Sequence, residues 1–384
     1  MELANRLDGI GEYYFSTKLR QIEELNKAGH AVINLGIGSP DLPPHPEVLQ
    51  VLQTEAAKPN VHAYQSYKGA LELRQAMANW YSTYYGVSLN ADTEILPLIG
   101  SKEGIMHLCM TYLNPGDVAL VPNPGYPTYR SAVQLAGGTC LEYSLQEHAN
   151  WQPNFEWLEQ QDLSRVKIMW VNYPHMPTGQ LPTAALFEQL VAFATRHSIL
   201  LCHDNPYSFI LNDTPASLLA TPGAMACAVE LNSLSKSHNM AGWRVGMLCG
   251  QAQRIQEVLR FKSNMDSGMF LPVQKAAAKA LQLGRDWYAQ VNATYAQRRQ
   301  LAFTILEALG CSYTTNQAGM FVWAKIPAGF ESGFAVSDWV LGKASVFITP
   351  GGIFGSAGNG YVRISLCSNI NTLEEALNRI KTRL

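Results

Sequence analysis

Residues 233–246 read SLSKSHNMAGWRVG, and from Thr214 to Gly246 the only acidic or basic side chains are Glu230, Lys236 and Arg244. A lysine isolated in an apolar, small-residue segment is either a solvated surface group or an amine kept in a pocket. In a pocket, desolvation disfavours the ammonium form, lowers the pKa and leaves a nucleophile. Lone lysines are rarely buried, so the choice rests on what flanks this one. Upstream lies MACAVELNS (225–233) and downstream VGMLCG (245–250), both short apolar runs.

Those two runs close a series. EILPLIG (94–100) leads into SKEGIMHLCMTYL, VALVPNPGY (118–126) into PTYRSAVQLAGG, and KIMWVNYP (167–174) is followed by LFEQLVAFATRH (186–197) and ILLCHDNPY (199–207). Apolar strands alternating with helical patterns predict an α/β fold with a mainly parallel sheet covered by helices on both faces. Ligands of such sheets collect beyond the carboxyl ends of the strands. The tail differs: a long helical stretch at 287–309 precedes MFVWAKIP (320–327), SVFITPGG (345–352) and YVRISLC (361–367). A large domain is therefore expected over 45–280, with a smaller α+β domain formed by 281–384 and the N-terminal segment 1–44.

Bulk composition narrows the function. The chain has 384 residues, 47% hydrophobic and 15% charged, which suits a compact protein with a large core. A net charge of −2 supplies no basic field for nucleic acid or an anionic membrane. No apolar run is long enough to span a bilayer. The start, MELANRLDGI, lacks the apolar core of a signal peptide, so a cytoplasmic address is expected. Seven scattered cysteines without a C-x-x-C pair read as reduced core thiols, and the nine histidines show no metal-binding spacing, so no metal site is expected.

The loops after the strands carry residues that are costly to bury without partners. Asp204 follows ILLCH with Tyr207 three positions on. Lys236 and Arg244 follow MACAVELNS, Gly100-Ser101-Lys102 opens a helix straight after a strand, and Arg363 interrupts YVRISLC. A nucleophilic lysine can form a Schiff base with an aldehyde cofactor, for which pyridoxal phosphate is the candidate. That cofactor needs a carboxylate at its ring nitrogen, an anion site for its phosphate, an aromatic face and a donor to its phenolic oxygen. An amino-acid substrate needs an arginine for its carboxylate.

These residues, in this order and spacing, make the chain resemble the class I/II aminotransferases of the fold-type I pyridoxal-phosphate enzymes, from NLGIGSPD (34–41) to YVRIS (361–365). The resemblance implies that Lys236 is the Schiff-base lysine and proton carrier, that Asp204 pairs with the pyridine nitrogen, and that Tyr207 donates to the phenolic oxygen. It implies a phosphate site of Ser233, Ser235, Arg244 and the Gly100-Ser101-Lys102 turn, and places Tyr126 on the cofactor ring. Arg363, helped by the backbone at Gly38, would take the substrate carboxylate. Tyr13, Tyr14, Phe15 and Ile37 would build the side-chain pocket, and Tyr64 would reach the partner's phosphate in a homodimer. NYPHMPTG (172–179) departs from the family pattern: Met176 stands where an asparagine normally donates to the phenolic oxygen, and a thioether cannot donate. Tyr207 is then the expected donor, unless His175 or a water substitutes.

The implied activity is transfer of an amino group from an L-amino acid to a 2-oxo acid such as 2-oxoglutarate, by a ping-pong mechanism. A carbon–sulfur β-lyase on the same scaffold is the alternative these residues leave open. A cofactor-binding regulatory module would need a DNA-binding extension, for which the first ~40 residues leave no room.

Overall fold

The computed structural model describes residues 2–12 and 14–384. After the short strand β1 (Ile33–Asn34), seven strands form the central sheet: β2 (Ile95–Leu98), β3 (Val118–Asn123), β4 (Thr139–Ser144), β5 (Val166–Asn172), β6 (Leu200–Asp204), β7 (Ala228–Ser233) and β8 (Gly246–Gly250). Their spatial order is β2-β8-β7-β6-β5-β3-β4. Only β8 runs against its neighbours, β2 and β7. The remaining pairs are parallel.

The uninterrupted apolar character of these strands has a direct structural cause. Along β5, Ile168 and Trp170 belong to one buried cluster, while Met169 and Val171 point into another on the opposite face. A strand buried on both faces has no solvent side on which polar residues could alternate. β4 was not among the expected strands. It lies at the sheet edge, pairs with β3 alone and is largely half-exposed, so Thr139, Glu142 and Ser144 are tolerated and the apolar signal is diluted.

The tail forms the long helix Arg285–Ala308, then β9 (Phe321–Lys325), β10 (Val346–Phe347), β11 (Thr349–Pro350) and β12 (Tyr361–Ser365). β11, β12 and β9 make an antiparallel sheet in which Arg363 stands opposite both Thr349 and Trp323. β10 pairs in parallel with β1, Ile33 against Val346, so the N-terminal segment is stitched to the C-terminal part of the chain. All seven cysteines are free thiols. Among the described residues no helix is long and apolar enough to cross a membrane.

Candidate active site

A cavity of about 460 Å³ opens at the carboxyl ends of the parallel strands, where Asn172 ends β5, Asp204 ends β6 and Ser233 ends β7. The register sets Asn172 beside Asp204 and Ser233 beside Gly246, the first residue of β8. The lysine segment and the aspartate strand are thus delivered to the same rim by sheet topology alone. Lys236, Ser235, Arg244, Ser101, Lys102, Tyr126, Tyr207, Met176, Ile37, Gly38 and Arg363 also line the cavity.

Lys236 sits in the one-turn helix Leu234–Ser237, capped by the Ser233 hydroxyl, which accepts from the Ser235 amide at 3.0 Å. Its Nζ donates to the Gly38 carbonyl at 2.5 Å. Burial lowers the pKa of this amine, and the Arg363 and Arg244 cations push the same way, against an opposing contribution from Cys367. Asp204 is 4% exposed. Its Oδ2 accepts from the Tyr129 hydroxyl at 2.8 Å, while Oδ1 has no partner among the described residues. Burial raises this carboxyl to about 6, and the Tyr129 hydrogen bond restrains the rise.

The opposite end of the cavity is built for an anion. The helix Ser101–Tyr112 starts after Gly100, and no side chain caps its first amides, which leaves donors and a positive dipole end facing the cavity. Gly100 has φ +80°, and a Cβ there would collide with the Arg244 guanidinium. Arg244 itself holds φ 56° and remains solvent-exposed. A non-glycine residue kept in the left-handed region points to a site that depends on that placement. Lys102 lies at the same end: burial and the Arg244 charge lower its pKa.

Arg363 is 3% exposed. Its Nη2 donates to the Gly36 carbonyl at 2.9 Å and its Nη1 to the Met176 sulfur at 3.3 Å. The guanidinium lies over the rings of Phe321 and Phe354, 3.7 and 4.6 Å from their centroids. Met176 is held in place by Asn172, whose Oδ1 accepts from the Met176 amide at 2.7 Å and whose Nδ2 donates to the Asp204 carbonyl at 2.5 Å.

Some sequence expectations find other surroundings. Tyr14 does not line the cavity; the helix Tyr14–Lys27 turns it against Phe334, 6.1 Å between centroids, and presents Phe15, Ser16 and Leu19 to the cavity instead. Tyr13 lies outside the described residues. Gly100 backs the cavity without lining it, and Tyr64 is 91% exposed, away from its own chain's cavity. His175, the other donor the sequence allows, does not line the cavity: it is buried, its Nδ1 pairs with the Thr178 hydroxyl at 2.8 Å, and burial lowers its pKa to about 3. His203 bonds Glu230 at 2.7 Å and the Tyr173 carbonyl at 2.9 Å, and His238 bonds Ser237, so neither lines the cavity. Glu103, His107 and Asp266 form one cluster of potential metal ligands, but Lys262 contacts Asp266 and stands 3.9 Å from Glu103, so an ammonium already supplies the cation.

Tyr129, Asn172, Phe321, Phe354, Ser16 and Leu19 line the cavity without having been marked by the sequence. A signal for Tyr129 existed: it lies three positions after Tyr126 at the start of the helix Pro127–Leu135, which puts both rings on one face. It stacks on Trp170 at 5.0 Å.

Fold and cavity together define an α/β enzyme of fold type I, organised around a buried lysine at the strand rim and an anion-binding turn. The chain belongs to the aminotransferase class I and II family, whose pattern matches residues 30–380. It is 40% identical over 382 residues to an LL-diaminopimelate aminotransferase of Dehalococcoides mccartyi, covering 99% of this chain and 98% of that one. A protein of the same description from Halothermothrix orenii is 39% identical over 383 residues, with 99% and 98% covered. Among solved structures, substrate-bound BacF from Bacillus subtilis superposes with a TM-score of 0.93 at 36% identity, covering 100% of this chain and 98% of that chain. The enzyme is a pyridoxal-phosphate-dependent aminotransferase, moving an amino group between an L-amino acid and a 2-oxo acid in two half-reactions.

Proposed function

We propose that the amino-acid substrate carries an apolar or aromatic side chain. The observation behind this reading is the wall formed by Phe15, Leu19 and Ile37 beside Arg363 and Lys236. The cations lining the cavity are Lys102, Lys236, Arg244 and Arg363. Two of them cluster at the anion turn, one is the reactive amine and one is assigned to the α-carboxylate. None is left to face the distal carboxylate of an acidic substrate.

The cavity suits pyridoxal phosphate on its own chemistry. The orphaned, buried Oδ1 of Asp204 calls for a charged donor such as a pyridinium N–H. The exposed Arg244 beside uncapped helix amides calls for a phosphate, which Ser233 and Ser235 would help to hold. Tyr126 would cover the ring, Tyr207 would donate to the phenolic oxygen, and Lys236 would attach the cofactor through its amine. Bound there, the cofactor supplies an electron sink for the carbanion formed at the substrate Cα. The protein supplies the rest. Arg363 orients the substrate carboxylate, the aromatic rings around it exclude water, and Lys236 Nζ, whose ammonium form burial disfavours, takes the Cα proton and returns it. On this reading Lys236 and Asp204 belong to the large domain at 45–280 and Arg363 to the smaller one formed by 1–44 and 281–384.

The same reading makes the enzyme a cytoplasmic homodimer. Tyr64, Tyr67, Met265 and Phe270 are exposed on two abutting loops, where Gly268 packs on the backbone of Gln65 and Ser66. Such a patch favours a partner surface and would let Tyr64 reach the neighbouring phosphate. Seven free thiols suit a reducing compartment.

Single-turnover half-reactions with a panel of amino acids test the substrate class. L-Phenylalanine, L-methionine or L-leucine should convert the cofactor with a higher kcat/KM than L-aspartate or LL-diaminopimelate. Faster conversion by either of the latter two would overturn the reading.

A further inference from the structure

Arg298, on the helix Arg285–Ala308, is 3% exposed, and its guanidinium grips Asp41 with both ends, Nη1 to Oδ1 at 2.6 Å and Nη2 to Oδ2 at 2.8 Å. Nη1 also donates to the Leu366 carbonyl at 3.0 Å. A buried arginine held this way joins three separate stretches of chain: the long helix, the segment just beyond β12, and the irregular loop that follows Leu35. Burying such a charge is costly unless its partners are fixed, so the arrangement demands a structural return, and the loop supplies one.

The loop from Gly36 to Asp41 has no strand ladder of its own. Two of its carbonyls point at reactive side chains. Gly36 O accepts from Arg363 Nη2 at 2.9 Å and from the Thr349 hydroxyl at 3.0 Å, and Gly38 O accepts from Lys236 Nζ at 2.5 Å. There is no slack: a Cβ on Gly38 would collide with the Phe321 ring, the same ring that stacks on Arg363. At its far end the loop is tied by the Asp41–Arg298 fork and, two residues on, by Asn239 Nδ2 donating to the Pro43 carbonyl at 3.2 Å.

We propose that Asp41 and Arg298 are positioning residues for the substrate-carboxylate site: their fork sets the height of the Gly36–Gly38 backbone and, through it, the placement of Arg363. The proposal rests on the assignment of Arg363 to the substrate carboxylate. Displacement of a binding group by a fraction of an ångström to an ångström weakens what it holds by about one to two orders of magnitude. The phosphate end of the cavity, Arg244 and the 101–112 helix, and the Asp204 carboxylate make no contact with the fork, so cofactor affinity should be insulated from it.

Calorimetric titration of the holoenzyme with 3-phenylpropionate, an unreactive monocarboxylate, separates these effects. Asp41→Asn, which keeps size and shape, should weaken the probe about tenfold while the cofactor's own Kd stays within about twofold. Arg298→Met should do the same, and the double variant should cost no more than either single one, because the pair acts as a unit. In turnover the loss should fall on KM for both substrates more than on kcat. If Arg298→Met fails to fold, Asp41→Asn alone carries the decision. An Asp41→Asn enzyme that binds 3-phenylpropionate as tightly as wild type overturns the proposal, as does one that loses cofactor and probe affinity in parallel. Arg363→Lys is the control for the underlying assignment: if it leaves the probe bound at wild-type affinity, the carboxylate assignment falls and the clamp falls with it.

Discussion

Asp204→Asn should make the cofactor-free enzyme more stable while abolishing most of its activity. The wild-type carboxyl is buried with one oxygen bonded to Tyr129 and the other unpartnered. Its pKa rises from an ordinary 3.8 to about 6. An acid with a raised folded-state pKa binds its proton more tightly in the folded protein. Its contribution to stability is therefore full below about pH 3.8 and lost as pH rises through about 6. Once both states are ionised the loss reaches about 3 kcal/mol. At pH 5 linkage gives about 1.6 kcal/mol, so the pH-dependent part between pH 5 and pH 8 is about 1.4 kcal/mol. Asparagine has no proton to lose and can still accept from Tyr129 through its carbonyl. Urea unfolding of both cofactor-free proteins at one protein concentration measures the difference. The stability of the variant minus that of wild type should grow by about 1.4 kcal/mol from pH 5 to pH 8. With cofactor bound the order should reverse, because wild type alone offers the ring nitrogen a carboxylate, and turnover of the variant should fall at least about 100-fold. A difference that does not change with pH, or that shrinks as pH rises, would refute the claim that Asp204 is a destabilised carboxylate held ready for a cation.

Three further changes probe neighbouring parts of the site. Lys236→Ala should lose the cofactor's bound absorbance and transamination together, by at least about 100-fold, and added methylamine should restore part of the turnover; an enzyme that still turns over without added amine would remove Lys236 from the mechanism. Tyr129→Phe deletes the hydrogen bond that restrains the Asp204 pKa. The unfolding-versus-pH curve of the cofactor-free variant should therefore shift its upper inflection above pH 6, and an unmoved inflection would show that the hydroxyl does not act on Asp204. Met176→Asn introduces an amide donor where the thioether now accepts from Arg363. A donor near the phenolic oxygen favours its ionised form, so the pH midpoint of the bound cofactor's visible spectrum should fall; a midpoint that stays or rises defeats that account.

Much of the cavity was legible because its residues break a local pattern. Asp204, Lys236 and Arg363 are ionisable groups within or just beyond apolar strands, where an unpaired charge is expensive, and strand order then carries them to one rim. The edge strand β4 was not legible, since half-exposure lets it keep polar residues. Tyr14 was misplaced for a different reason. The sequence marks an aromatic cluster at 13–15, but which ring faces the cavity depends on the phase of the helix Tyr14–Lys27 and on its docking against Phe334. Tyr129 required the same kind of helical phase information.

The Asp41–Arg298 fork marks the limit more sharply. Its partners lie 257 positions apart, and Arg298 stands in the helical stretch QRRQ beside Arg299 with nothing in its neighbours to single it out. Only packing separates them: Arg298 is buried on Asp41, whereas Arg299 reaches the Gln317 carbonyl at a partly buried position. Local composition reports what must be paired when a charge is buried within a strand or loop, but it does not report which of two adjacent helical arginines turns inward. The chemistry of such a site is therefore readable from its motifs, while the geometry that sets how tightly Arg363 holds a carboxylate is fixed by long-range contacts that no motif encodes.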